Sequence, residues 1–289
     1  MFLNRIAISF LMLSIVVTNM DAQNPVLIKR ILKTDNLVAM WDFGEEKGKS
    51  KYSKGQVKLA LKKGTEKEVP VMPEGPLSGK SILLEGDNYL MLPYGQTKLL
   101  NVKTNQVTVI AWVKWTGEQT GFVGGMWNEY MDGGKRQYGL FVSLPYYNGR
   151  DQVCGHISKT GKPTPPFPYS IDYSASPQKV PYNQWCCVVF TYDGQHIRSY
   201  LNGIFESRNP ELIDHTKGFP DYPDGLTQVK NPYYFPDGIG DNGSDFTVGA
   251  VLLKSGMGNF FKGQIGGLAV FDRALSDKEI ELLTIDSGF

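Results

Sequence analysis

The chain of 289 residues is 41% apolar and 12% aromatic, which is enough to bury the core of one large domain or two small ones. Its 30 basic and 29 acidic side chains nearly cancel. The chain therefore lacks the net positive charge that is typical of proteins that bind nucleic acid or an anionic membrane. The 32 glycines and 17 prolines are typical of an all-β protein with long connections.

The first 22 residues have the features of a secretory signal peptide. Arg5 supplies a positive charge, residues 6–17 form an apolar stretch, and Ala22 is the small residue before the predicted cleavage site. The apolar stretch is shorter than the ~20 residues of a spanning helix, and no cysteine follows it to carry a lipid anchor. We therefore expect an exported protein, periplasmic or extracellular and not membrane-spanning, that begins with a short leader over residues 23–35.

Alternating apolar and polar residues predict β-strands through the first half of the chain. Residues 36–43, 81–92 and 107–115 each read as a strand. Within 107–115, the odd-numbered residues from Val107 to Val113 lie on one side and Trp112 lies on the other. Residues 138–144 and 152–158 are expected to pair as antiparallel strands.

The second half predicts a β-meander that is followed by a strand and a short helix. Asp193-Gly194 and Asn202-Gly203 are two turns that separate strands over residues 188–192, 196–201 and 204–207. Residues 246–253 and 260–271 predict the last strands. Ser276 and Glu279 then stand at the N-cap and N3 positions of a capping box, which marks the start of the helix.

These motifs resemble those of the laminin-G-like, concanavalin A-like jelly-roll domains of secreted bacterial proteins. The W-x-x-V-x-x-T-Y-D-G hairpin and the following Y-x-N-G occupy residues 185–203, and the closing F-x-G-x-I strand with R-A-L-S-x-x-E-I occupies residues 261–280. The resemblance implies an all-β fold, a two-sheet antiparallel jelly-roll β-sandwich with a short C-terminal helix. One domain would then span residues 36–289.

Two insertions, residues 159–182 and 208–245, interrupt the compact pattern of that family. Long connections in a compact domain are usually functional or disordered, and their aromatic rings argue against disorder. Binding and catalytic residues lie disproportionately in such loops. Elsewhere in the chain, Cys154, Cys186 and Cys187 permit one disulfide in an oxidising compartment, although three buried thiols are the simpler expectation.

Sugar recognition requires flat apolar rings and planar polar groups, and two stretches near the predicted strands supply both. One stretch surrounds Trp127, Arg136 and Tyr138, and the other surrounds Tyr147 and Arg150. The alternation of the strand after them places the polar residues from Gln152 to His156 on one face. The candidate ligand-binding residues are Trp127, Arg136, Tyr138, Tyr147, Arg150, His156 and Tyr234.

No complete catalytic or metal motif accompanies these residues. The resemblance implies an E-x-D-x-x-E string for hydrolases and a Gln-x-His strand with a tyrosine for lyases. The sequence lacks the first motif and matches the second only in part. The catalytic candidates are therefore Glu129, His156 and Tyr173. Related domains also hold Ca²⁺, and Asp87 lies at the matching loop. Asp241 and Asp245 are candidates in a separate loop, which reads equally well as a plain turn. However, Gly266-Gly267 replaces the acidic pair of the family, so no cofactor is firmly predicted.

The sequence therefore predicts a secreted carbohydrate-binding protein that recognises a polysaccharide or another glycan. A glycoside hydrolase or polysaccharide lyase on the same fold is the first alternative. A structural or adhesion domain that binds other proteins through its long loops is the second.

Overall fold

The computed structural model describes residues 23–117, 119–129, 134–285 and 287, so the predicted signal peptide (residues 1–22) lies outside the described residues. The helices are α1 (Pro25–Lys33) and α2 (Asp277–Thr284). The strands are β1 (Leu37–Trp41), β2 (Lys51–Tyr52), β3 (Ala60–Lys63), β4 (Val71–Met72), β5 (Ser81–Glu85), β6 (Leu90–Leu92), β7 (Val107–Trp115), β8 (Gly121–Met126), β9 (Tyr138–Leu144), β10 (Gly149–Ile157), β11 (Tyr173–Lys179), β12 (Trp185–Tyr192), β13 (His196–Leu201), β14 (Ile204–Phe205), β15 (Glu211–Leu212), β16 (Thr227–Gln228), β17 (Tyr233–Tyr234), β18 (Phe246–Val248), β19 (Val251–Leu253), β20 (Gly256–Gly258) and β21 (Lys262–Phe271).

Two large antiparallel sheets form the body of the protein. The nine-stranded sheet has the order β14-β13-β12-β7-β21-β5-β4, with β1 paired to β21 and β17 paired to β13. The eight-stranded sheet has the order β11-β10-β9-β8-β18-β6-β3-β2. Neighbours such as β7 and β21 are distant in sequence, as in a jelly roll. This confirms the all-β, two-sheet sandwich and the short C-terminal helix that the sequence predicted. No helix in these described ranges is long and apolar enough to cross a membrane.

The inner faces of the sheets enclose the main apolar core. The predicted alternation of β7 is confirmed, because Val107 and Val109 point into this core while Trp112 points to the outside of the nine-stranded sheet. Cys186 and Cys187 face opposite sides of β12 in the same way. Burial raises the pKa of the Cys186 thiol to about 12. All three cysteines are buried and free.

The two sheets approach each other closely where β10 crosses β12. A Cβ atom on Gly155 would lie 2.5 Å from the Cβ of Phe190, so no larger residue fits here without displacement. Beside this contact, the hydroxyls of Ser174 and Ser199 are 2.7 Å apart and join β11 to β13. The absence of a side chain at Gly155 thus lets β10 lie close to the opposite sheet.

The outer face of the nine-stranded sheet is covered by the two helices. The Asn24 side chain caps α1 by accepting a hydrogen bond from Leu27 N, and Leu27 and Ile31 are fully buried. Ile280 and Leu283 bury the apolar side of α2, and the predicted capping box of α2 is confirmed. The residues predicted only as a leader therefore include a helix that is packed on the sheet.

The outer face of the eight-stranded sheet is bordered by the two insertions. The first insertion contains β11, a strand within a segment that the sequence predicted to be a loop. The insertions contact each other through two ring pairs, Phe167 with Tyr222 and Tyr169 with Phe219, each with centroids 6.2 Å apart. The insertions are thus ordered parts of the fold.

Candidate functional site

A cavity of about 330 Å³ opens on the outer face of the eight-stranded sheet, between β9, β10 and the insertions. Its volume lies in the range of ~300–1,000 Å³ that is common for small-molecule sites. The residues that line it are Thr120, Glu129, Phe141, Leu144, Pro145, Tyr146, Tyr147, His156, Tyr169, Ser170, Tyr173 and Asn259.

Buried aromatic rings support the base of the cavity. The Trp127 ring packs against His156 with centroids 4.4 Å apart and meets the edge of Phe141 at 5.8 Å. Cys154 and His156 lie on this side of β10, while Val153 and Ile157 point into the main core. The predicted alternation of β10 is therefore confirmed, although its outward face is mostly buried rather than open to solvent.

His156 forms a buried pair with Asp172, in which Nε2 lies 3.2 Å from Oδ1. Burial lowers the pKa of His156, although the Asp172 carboxylate opposes this effect. Burial alone would raise the pKa of Asp172, but hydrogen bonds from His156 and Thr164 hold it below its usual value. At neutral pH the pair is thus a neutral imidazole beside an ionised carboxylate.

Glu129 supplies a carboxylate to the wall of the same cavity. Its Oε1 accepts a hydrogen bond of 3.2 Å from the indole N–H of Trp127. Its backbone N–H donates to Leu252 O at 2.8 Å, which attaches this segment to the β19–β20 hairpin. The position of Glu129 is therefore set by both its side chain and its backbone.

Two exposed tyrosine rings stand at the rim. Tyr146 is 67% exposed and packs against His215, and Tyr169 is 53% exposed and packs against Phe219. Ser170 also lines the cavity, and its hydroxyl is buried without a hydrogen-bond partner among the described residues. The cavity thus combines flat ring surfaces at its rim with a carboxylate, that of Glu129, in its wall.

Tyr173 lies beneath the cavity, and its hydroxyl is already used by the protein. The hydroxyl donates to Tyr147 O at 2.7 Å and lies 3.1 Å from Leu144 O. The ammonium of Lys230 lies 3.8 Å from the centroid of the Tyr173 ring, and burial lowers the pKa of Lys230 to about 7. Burial raises the pKa of Tyr173 well above its usual value, so its hydroxyl is poorly suited to proton transfer.

The other predicted binding residues divide into those near the cavity and those far from it. Arg136 lies buried beside the Trp127 ring and donates to Gly161 O at 3.1 Å. Tyr138 lies between the sheets, where its hydroxyl donates to Leu100 O, so it does not reach this face. Tyr147 lines the cavity, whereas Arg150 is exposed outside its lining.

Tyr234 belongs to a different surface, at the edge of the nine-stranded sheet. It lies on β17, 62% exposed, with its ring 5.4 Å from that of His196. These two residues line a separate shallow cavity together with Gln228, Val229, Pro232 and Tyr233. The structure therefore does not bring Tyr234 together with the other candidates.

The acidic candidates for Ca²⁺ are occupied by protein donors. Asp87 accepts hydrogen bonds from Lys67, and Asp245 accepts one from Tyr94 N. Asp241 pairs with Lys103, whose hydrogen bond lowers the pKa of Asp241 to about 2. Within the part of the chain that the structure describes, no group of three or more His, Cys, Asp or Glu side chains could hold a metal ion.

Comparisons with known proteins agree with the observed architecture. A family model for concanavalin A-like lectin/glucanases, Laminin_G_3, matches residues 84–236. The binding domain of botulinum neurotoxin DC, solved with rat synaptotagmin II, has a TM-score of 0.53 at 12% identity, over 88% of this chain and 52% of that chain. The present chain thus spans about half the length of that toxin domain. At this identity the likeness concerns the fold alone.

Two further solved structures are similar at lower TM-scores. Domain 4 of AbnA, a GH43 extracellular arabinanase from Geobacillus stearothermophilus in complex with arabinotriose, has 19% identity and a TM-score of 0.47, over 86% of this chain and 98% of that chain. The CBM40 of the Ruminococcus gnavus IT-sialidase, bound to α2,3 sialyllactose, has 15% identity and a TM-score of 0.45, over 71% and 96%. A search of curated proteins found no match.

Proposed function

We propose, from the premise that this chain belongs to the concanavalin A-like lectin/glucanase superfamily, that it binds carbohydrate in the cavity on the outer face of the eight-stranded sheet. The observation that carries the proposal is the pairing of exposed tyrosine rings with polar groups around one cavity. Tyr146 and Tyr169 offer flat faces to the apolar side of a sugar ring. Glu129 offers its carboxylate as an acceptor to the hydroxyls of the sugar.

The charges of the cavity favour an uncharged sugar. Of the described residues that line it, Glu129 is the one acidic residue and none is a lysine or an arginine. His156 is neutral at pH 7 because its pKa is lowered by burial. An acidic sugar in this cavity would meet the Glu129 carboxylate with no lysine or arginine of the lining to offset it, which is electrostatically unfavourable.

The proposal is tested by binding to a panel of neutral polysaccharides (laminarin, mixed-linkage β-glucan, xylan and arabinan), measured by affinity electrophoresis and calorimetry. Truncation of an aromatic anchor costs about 1–2 kcal/mol of binding free energy, so Tyr169→Ala should weaken binding roughly 5–30-fold. Tyr52→Ala is the matched control, since Tyr52 is 45% exposed at the far edge of the same sheet. Absence of binding to every polysaccharide of this panel would contradict the proposal.

We also propose that the protein is exported after removal of residues 1–22. The support is the charged and apolar pattern of that segment. Fractionation of the producing cells and the intact mass of the recovered protein test this proposal. A mass that includes the whole N-terminal segment, or recovery in the cytoplasm, would refute it.

A second candidate function is hydrolysis of the bound carbohydrate. It is favoured by the Asp172–His156 pair, because an ionised carboxylate that orients a neutral imidazole is the arrangement of a general base. Glu129 lies on the same cavity and supplies a second acid–base group. The lyase alternative lacks this support, since the Tyr173 hydroxyl is held by backbone carbonyls.

Chromatography of polysaccharides incubated with the protein separates the two candidate functions. Release of saturated oligosaccharides by the wild type, and loss of that release in Glu129→Gln and His156→Gln, would establish a hydrolase. Binding without release would leave carbohydrate binding as the function.

A further inference from the structure

A second cavity, of about 560 Å³, adjoins the first on the outer face of the eight-stranded sheet. Glu129 and Asn259 line both cavities, and Leu253, Lys254 and Ser255 complete the second. We infer that the two cavities form one groove, which binds an extended carbohydrate chain rather than a single terminal sugar. This inference rests on the proposed function, and Glu129 marks the junction of the two halves of the groove.

The wall of the second cavity is a hairpin that the fold holds in a defined position. Strands β19 and β20 pair with each other, and the turn between them carries Lys254 and Ser255. Leu252 O accepts a hydrogen bond from Glu129 N at 2.8 Å, and Asn259 O accepts one from Phe122 N at 2.9 Å. Both ends of the hairpin are thus attached to the segment that positions Glu129.

The two cavities offer different chemistry to a ligand. The first presents rings, of which Tyr146 and Tyr169 are the most exposed. The second presents the ammonium of Lys254 and the hydroxyl of Ser255, with Leu253 as its apolar surface. A sugar in the first cavity would therefore be held mainly through its ring faces, and its chain neighbour mainly through hydrogen bonds to its hydroxyl and ring oxygens.

Because the hydrogen-bond donors of the second cavity act only on a neighbouring sugar, affinity should increase with chain length. A sugar that fills only the first cavity leaves Lys254 and Ser255 solvated, so these two residues add nothing to its binding free energy. A chain that passes Glu129 gains their contacts in addition. The groove thus predicts a ligand selected by length as well as by composition.

The experiment is calorimetry with oligosaccharides of increasing length, from monosaccharide to hexasaccharide, prepared from laminarin, xylan and arabinan. For the series that binds, we expect affinity to rise at least tenfold between the monosaccharide and the tetrasaccharide. The double variant Lys254→Ala/Ser255→Ala should lose several-fold of the affinity for the tetrasaccharide while its affinity for the shortest ligand that binds stays unchanged. Tyr169→Ala should weaken both, and thermal melting confirms that each variant is folded.

The outcomes separate the groove from the binding function itself. Affinity that is independent of chain length, with Tyr169→Ala still weakening binding, would overturn the groove and leave the proposed function in place. An equal loss for short and long ligands in the double variant would also overturn it. Failure of the wild type to bind any of the series or their parent polysaccharides would remove the proposed function together with the groove.

Discussion

The outer faces of the two sheets are covered in different ways. The nine-stranded sheet carries helices α1 and α2, whose buried Leu27 and Ile280 pack with Trp112 in a continuous apolar layer. The eight-stranded sheet is bordered by loops and by the β19–β20 hairpin, which place Tyr169 and Glu129 around an open cavity. One face is closed by apolar packing, and the other is left accessible.

The side chains of the two outer faces therefore have different roles. Regular helices bury their apolar stripe completely, which stabilises the fold but leaves no room for a ligand. The loops leave a cavity that is lined by rings and polar groups, so this face has room for a ligand. Changes on the helix-covered face should therefore affect stability, and changes on the open face should affect binding.

The largest expected effect is on the closed face, in the variant Ile280→Ala. Ile280 is fully buried on the side of α2 that faces the sheet, and loss of its side chain leaves a cavity between the helix and the sheet. We expect the free energy of unfolding to fall by about 2–5 kcal/mol, measured by urea denaturation. Carbohydrate affinity under native conditions should stay at the wild-type value. A parallel loss of affinity would show that the two faces are not independent.

The next largest effect is expected on the open face, in a variant of Arg208. Arg208 donates to Asn148 O at 2.9 Å and to Gln152 Oε1 at 3.1 Å, which joins the second insertion to the turn beside Tyr146. Arg208→Met should cost about 1–3 kcal/mol of unfolding free energy and also weaken binding.

The matched control for this variant lies on the helix-covered face. Arg208 makes a two-point pair with Glu211, and Arg273 makes the same kind of pair with Glu279 there, so Arg273→Met should lower stability without changing affinity. Calorimetric binding and denaturation curves on both variants check the prediction. Unchanged affinity in Arg208→Met would mean that this arginine does not support the cavity.

A smaller effect is expected at the cap of α2. The Ser276 hydroxyl accepts a hydrogen bond from Glu279 N, and the Glu279 carboxylate accepts one from Ser276 N. Ser276→Ala should lower the free energy of unfolding by about 1 kcal/mol, and Ser276→Gly by only a few tenths. Thermal denaturation of both variants measures the difference, and an equal loss in the two would contradict the capping role.

The smallest effect is a pH dependence of the free energy of unfolding, which arises from His156 on the open face. The pKa of folded His156 is lowered by burial, whereas the unfolded side chain takes up a proton near pH 6.5. Since the unfolded state then binds more protons, stability is retained above pH 7 and falls as the pH drops through 6.5. The depressed pKa of Asp172 adds a loss only at more acidic pH. Urea denaturation at pH 7, 6 and 5 should show that the free energy of unfolding changes less with pH in His156→Gln than in the wild type. An identical change in both would show that His156 does not cause the pH dependence.

Much of the fold could be predicted because apolar and polar residues alternate along several of its strands. The strands β7, β9 and β13 have the bounds that the sequence predicted. The predicted strands 81–92 and 246–253 are each divided in two, where Gly86 and Gly249 adopt positive φ angles of 94° and 93°. Helix α1 was missed, although Asn24 and Pro25 carry the sequence signals of a helix start.

The candidate site could be predicted only in part, because its members meet through pairings that are distant in sequence. Asp172 reaches His156 because β11 pairs with β10 and places Tyr173 opposite His156. Nothing in the proline-rich insertion indicates that register. The side of Tyr138 could not be predicted either, because β9 is apolar on both faces, with Leu140 inward and Phe141 outward. Asn259 joins the site only through the β19–β20 hairpin.

The hydroxyl of Tyr173 has a consequence for the kinetics of recognition. By donating to Tyr147 O while lying 3.1 Å from Leu144 O, it restrains the backbone that carries Tyr146 and Tyr147. The entropy of ordering this turn is therefore lost during folding and not at the moment of encounter, so the site is preorganised. Productive collisions need no rearrangement of this rim, and differences in affinity among ligands should appear mainly as differences in residence time.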